Sequence, residues 1–168
     1  MEENSEKSKY IFDTSALISL GVVKLIDNVL NLTKMVITTS IIKEVEEFAK
    51  HEDEYGKASK EVLKYKDRFI VKKVESKESI QYIEKTYNEL YNLAKKQSST
   101  LITDDIKFSR HVDGKIETQF STFFLTLLVS SKHLSKEEAL DKLEKLRNIR
   151  NSRDNIIYLT TKNQLEKL

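Results

Sequence analysis

The 168-residue chain contains no cysteine and no proline, and only three glycines. Without cysteine it can form neither a disulfide nor a thiolate zinc site, which suits a reducing, cytoplasmic setting. The lack of proline, together with a Lys/Ile/Asn bias, points to an AT-rich genome and says little about the fold. Charge of one sign is also scarce in excess: the formal net charge is +2, too small to draw nucleic acid by whole-molecule attraction, so any basic surface has to be local. No apolar run approaches the ~20 residues of a membrane-spanning helix. The longest such cluster covers 120–129. The start of the chain, 1–9, is polar and lacks the apolar core of a signal peptide.

What is present is the composition of a globular protein, 39% hydrophobic and 33% charged, in a length that suits one domain with a real core. We expect a polar tail over 1–8 and a single domain over 9–168, since no repeat or low-complexity linker interrupts it. Short apolar runs read as buried strands at 10–12, 35–38, 68–71, 99–103 and near 115–118. Helical spacing fills the intervals: 17–32 (with Gly21 as a candidate break), a helix opened by Thr39 or Ser40, then 58–65, 79–96 and 106–111. The segments 120–132, 135–148 and 155–168 make the rest helical, and 51–56 reads as an acidic loop. Strands alternating with helices predict an α/β fold, a three-layer α/β/α sandwich around a mostly parallel central sheet.

The stretch Tyr10-Ile11-Phe12-Asp13-Thr14-Ser15 organises this pattern. Three apolar residues run into Asp13, and Thr14 or Ser15 can cap the helix that follows. An aspartate there also suits a helix cap. It equally stands at the carboxyl end of a strand, where open α/β sheets place their ligands. Asp104 and Asp105 follow the strand Leu101-Ile102-Thr103, and Glu44 lies about one turn into the helix after Val36-Ile37-Thr38. In a parallel sheet all of these points share one edge. Carboxylates gathered within ~4–6 Å raise one another's pKa unless a cation neutralises them. Mg²⁺ or Mn²⁺, completed by water and a phosphate, is the usual solution and can promote phosphodiester hydrolysis.

On these residues the chain resembles the PIN-domain nucleases, in particular the PIN-like subgroup of archaeal and bacterial toxin and RNA-processing proteins. The segment 10–18 is similar to the family's opening motif. Thr38-Thr39-Ser40-Ile41-Ile42-Lys43-Glu44-Val45 resembles its second motif, and Leu101-Ile102-Thr103-Asp104-Asp105 its strand-terminal Thr-Asp-Asp. The likeness covers roughly 9–165. It implies a Mg²⁺- or Mn²⁺-dependent endoribonuclease with Asp13, Glu44, Asp104 and Asp105 as catalytic, metal-binding acids. RNA as substrate comes from the resemblance alone, as do a possible antitoxin partner and a homodimer, to which the apolar 120–129 segment could contribute. A further family acid is expected where this chain has Tyr87. Glu84, one turn back, is the substitute metal ligand we expect, with Asn88 as a neutral alternative and Glu89 pointing largely to solvent.

Thr14, Ser15 and Arg110 are the candidate substrate contacts, with Lys142, Lys145, Arg147, Arg150 and Arg153 forming a basic C-terminal face suited to phosphate positioning. Tyr82, Tyr87 and Tyr91 read as packing residues, and His51, His111 and His133 lack ligand spacing. The absent acid at Tyr87, and glycines missing around 113–124 relative to the subgroup, favour a rival expectation. This is a catalytically impaired PIN-like module that binds RNA or a protein partner. A phosphatase of the haloacid dehalogenase type also begins with a strand-end aspartate, but needs a second one where Ser15 stands.

Overall fold

A short apolar run lies at the middle of the sheet. In the computed structural model, which describes residues 7–75, 83–150 and 155–168, β1 (Lys9–Phe12) buries Ile11 and Phe12 completely. A strand covered on both faces needs such a continuous apolar run rather than alternation. The chain continues through α1 (Thr14–Val22), α2 (Ile26–Leu32), β2 (Lys34–Thr38), α3 (Thr39–Phe48), α4 (Glu54–Leu63) and β3 (Ile70–Lys72). It then forms α5 (Lys85–Gln97), β4 (Leu101–Ile102), α6 (Ile106–Val112) and β5 (Thr118–Gln119), and ends in α7 (Phe123–Ser130), α8 (Lys136–Ile149) and α9 (Ile156–Lys167).

The five strands pair in parallel throughout, in the order β3-β2-β1-β4-β5. Parallel neighbours need crossovers, and right-handed crossovers put α1–α4 on one face and α5 with α6 on the other. Accordingly α5 rests on β1 and β4, while α1 packs against α3, α4 and α8. The result is a three-layer α/β/α fold. The apolar 120–129 segment is largely core: Phe124, Leu125 and Leu128 are buried, and the Phe124 ring stacks on Phe12 with centroids 5.5 Å apart. No single helix among the described residues is long and apolar enough to cross a membrane.

Local details depart from the sequence reading. The 17–32 helical stretch does break, but at 23–25, where Lys24 takes a φ of 55°, and not at Gly21. Gly21 stays helical because α4 comes too close for any side chain: a Cβ there would lie 2.5 Å from the Ala58 carbonyl oxygen. The 51–56 loop is shorter than expected, since Asp53 caps α4, accepting from the Gly56 N–H at 2.8 Å. α3 opens at Thr39, as expected, with Thr38 as its cap. The helix read over 79–96 begins at Lys85. Ile80, Tyr82, Arg153 and most of the polar tail lie outside the described residues.

Candidate active site

From β1 the chain moves outward to β2 and β3, then returns to β4 on the other side of β1. The carboxyl ends of β1 and β4 therefore flank the point at which the strand order reverses, where sheets of this kind open a ligand crevice. Asp13 leaves β1 at that point and Thr103-Asp104-Asp105 leave β4.

Asp13 itself caps α1, one of the roles the sequence offered it, in place of Thr14 or Ser15. Its Oδ1 accepts from the Ala16 N–H at 2.8 Å. Capping puts the carboxylate against the first turn of a helix packed between sheet and core, so the side chain is only 1% exposed. The Ser15 hydroxyl donates to it at 2.7 Å, and the Thr103 hydroxyl donates to Oδ2 from β4. Among the described residues no cationic side chain forms an ion pair with it. Burial pushes the Asp13 carboxyl up to about 7 against the opposing pull of its donors, and the charge of Asp104 adds to the rise.

The same turn is stitched to its neighbours. The Ser15 Oγ accepts the Asp104 N–H at 2.9 Å, joining the β1 and β4 turns. The Thr14 hydroxyl donates to Glu44 on α3 at 2.5 Å. Asp13, Thr14, Ser15 and Glu44 then line one small cavity of about 60 Å³ with Glu84 and Tyr87 from the start of α5. Glu84 reaches it from the N-cap position of α5, in extended backbone rather than inside a helix as expected. Three of the five expected metal-binding acids, Asp13, Glu44 and Glu84, thus share a wall.

Asp104 and Asp105 belong to the same edge but face elsewhere. Asp104 accepts from the Ser121 N–H at 2.8 Å and from its hydroxyl at 2.7 Å. Asp105 caps α6, accepting from the Phe108 N–H at 2.9 Å, and takes a second bond from the Tyr87 hydroxyl at 2.7 Å. Burial, and then that bond to a carboxylate, raise the Tyr87 phenol above its ordinary value. Tyr87 also lines a second cavity of about 230 Å³ with Glu84, Asp105, Lys107, Phe108 and His111.

Arg110 is exposed on α6 and lines neither cavity, whereas Lys107 and His111 of the same helix line the second. Asn88 does not face the acids, but is buried with its amide donating to the Ile83 and Glu84 carbonyls. Glu89 is not solvent-directed: it is 4% exposed, because the buried arc of α5 runs from Asn88 through Tyr91, and its Oε2 has no partner among the described residues. Tyr91 is buried as a packing residue, and Tyr87 packs by stacking on Phe108 at 4.2 Å. His51, His111 and His133 are all exposed. Much of the basic C-terminal face is used internally: the Lys142 ammonium donates to the Val23 carbonyl, Arg147 pairs with Glu144, and Arg150 lies over the Tyr55 ring.

Four residues around these two cavities were given no functional role from sequence. Thr103 carried a signal, since it sits inside the strand-terminal Thr-Asp-Asp. Ser121 and the α6 pair Lys107 and His111 carried none, because only the return of the chain through β5 and α6 brings them here.

No protein-family model matches the sequence, and no curated protein matches it. Among solved structures, the chain is similar to a domain of a functionally unknown protein from Methanocaldococcus jannaschii DSM 2661, with 20% sequence identity and a TM-score of 0.47. That match covers 67% of this chain and 90% of the other.

Proposed function

We propose that the chain is a divalent-metal-dependent ribonuclease, as its resemblance to the PIN-domain nucleases implies. The observation that carries this reading is the acid-lined cavity at the strand-order reversal, with Asp13, Glu44 and Glu84 beside the hydroxyls of Thr14 and Ser15. Its chemistry fits a hard cation: every acidic ligand offers oxygen only, and the buried Asp13 charge has no cationic neighbour to offset it. Among the described residues no three acidic or imidazole side chains converge tightly enough to hold an ion. An ion there would be held by Asp13 together with Glu44 and Glu84, of which Glu84 is exposed at a helix N-cap.

When bound, Mg²⁺ or Mn²⁺ supplies Lewis-acid activation of water and offsets charge on the phosphate. The chain does the positioning. Thr103 and Ser15 fix the Asp13 carboxylate from two sides, and the Thr14 hydroxyl holds Glu44 over the same cavity. Asp104 anchors Ser15 through its backbone N–H, while its own carboxylate is held by Ser121. Asp105 sets the orientation of Tyr87.

The test is cleavage of a labelled single-stranded RNA in Mn²⁺. Asp13→Asn and Glu44→Gln keep side-chain shape and should each bring cleavage to background with the fold retained by circular dichroism. One observation favours a second reading, the impaired RNA-binding module: Tyr87 stands where the family expects an acid, with its hydroxyl committed to Asp105. Wild-type protein that leaves RNA intact in Mn²⁺, while Tyr87→Asp cuts it, would establish that module and end the enzyme reading.

A further inference from the structure

The second cavity lined by Tyr87 has a different chemistry from the acid-lined one. Its volume is about 230 Å³, and it is bounded by Glu84 and Tyr87 at the start of α5 and by Asp105, Lys107, Phe108 and His111 on α6. Tyr87 and Phe108 stack on one another at 4.2 Å with their planes 24° apart, which gives the cavity a rigid aromatic wall. Lys107 and His111 are exposed and one helical turn apart, so they share a side of α6. Glu84 accepts from Asn88 through its backbone carbonyl only, and no described residue donates to its carboxylate, which leaves that group available as an acceptor.

We propose that this cavity is a nucleobase subsite for a single-stranded RNA, resting on the reading of the protein as an RNA-directed one. Two carboxylates against one lysine make the cavity hostile to a phosphate, which both would repel. A neutral flat ring carrying N–H donors meets none of that repulsion. Its faces or edges rest on the Tyr87–Phe108 wall and on the His111 imidazole, and its donors reach Glu84. Location supplies a second argument. Glu84 and Tyr87 line both cavities, so a base seated on the α6 side brings the adjoining backbone phosphate toward Asp13 and Glu44. The tyrosine that replaces an expected acid thereby gains a role in holding the substrate.

The probe is a fluorescein-labelled 2′-O-methyl RNA octamer, verified intact by gel after each titration, compared by anisotropy in Mn²⁺ with an abasic strand of the same backbone. Stacking and donor pairing should make the intact strand bind wild type about tenfold or more tightly than the abasic one. His111→Ala should bring that ratio close to one while leaving affinity for the abasic strand unchanged, and Tyr87→Leu should lower the ratio as well. A change in fold alone would not move the ratio selectively, and His111, being exposed, can be removed without disturbing the core. A ratio near one in wild type, or an undiminished ratio in both variants, overturns the subsite. Cleavage of the unmodified octamer is followed in parallel. Cutting without base dependence overturns this inference alone, whereas base-dependent binding without cutting keeps the subsite and removes the nuclease.

Discussion

The turns that leave β1 and β4 are built from the same local grammar and end in opposite circumstances. Each ends a buried strand and places an aspartate at the N-cap of the next helix, and a hydroxyl donates to each carboxylate, Ser15 to Asp13 and Tyr87 to Asp105. Asp13 is sealed between sheet and α1, whereas Asp105 keeps partial access to solvent and leans on Tyr87. The difference lies in the strands. β1 is central and its helix lies deep in the core, while β4 is next to the edge strand and α6 is a short outer helix. A carboxylate that caps a buried helix becomes an electrostatic liability that a cation can relieve. The same cap on an outer helix is free to organise a binding surface.

The largest expected effect comes from titrating that liability. The native carboxyl of Asp13 is raised from 3.8 to about 7, so its protonated form is favoured in the folded chain. Its contribution to stability is therefore full below the unfolded value and is lost as pH rises through the folded one. Without divalent metal, urea unfolding should show wild type losing about 4 kcal/mol relative to Asp13→Asn between about pH 4 and pH 7. Identical pH slopes for the two proteins would mean that the buried charge is offset by something other than a metal.

A smaller effect sharpens how β4 serves β1. Thr103→Val keeps the strand shape and removes the donor to Asp13 Oδ2, and should cost about 2 kcal/mol at neutral pH. Thr103→Ser, which restores a hydroxyl, should recover most of it in the same denaturation assay. If valine is tolerated without loss, the two turns are not coupled through this bond.

The smallest effect concerns the outer turn. Tyr87→Phe removes only the bond to Asp105, at a site partly open to water, and should lower stability by about 1 kcal/mol or less while leaving the ring stack on Phe108 intact. A loss as large as that of Thr103→Val would show that the outer turn is as dependent on its partners as the inner one, and the contrast between them would fail.

The parallel sheet was legible because its strands are short apolar runs separated by helical spacing, and because Asp13, Glu44 and the Asp104-Asp105 pair each follow one of them. Helix starts were less legible. Of the caps the sequence allowed for α1, Asp13 takes the role and Thr14 and Ser15 do not, since several polar side chains in a row can each serve and only the strand end decides which does. Glu89 was misread because helical spacing gives an angle but not the width of the buried arc, which packing sets.

Period and composition alone determined that strands alternate with helices, and parallel pairing then obliges the strand-end acids to gather along one edge. Which way each acid faces was decided only by tertiary structure. Asp104 turns to Ser121 from the β5–α7 connection, Asp105 to Tyr87 across from α5, and Glu84 to the cavity of Asp13 and Glu44. Those partners are remote in sequence. A side chain's orientation is settled by the donors that surround it, and these donors are assembled only when the crossovers close over the sheet.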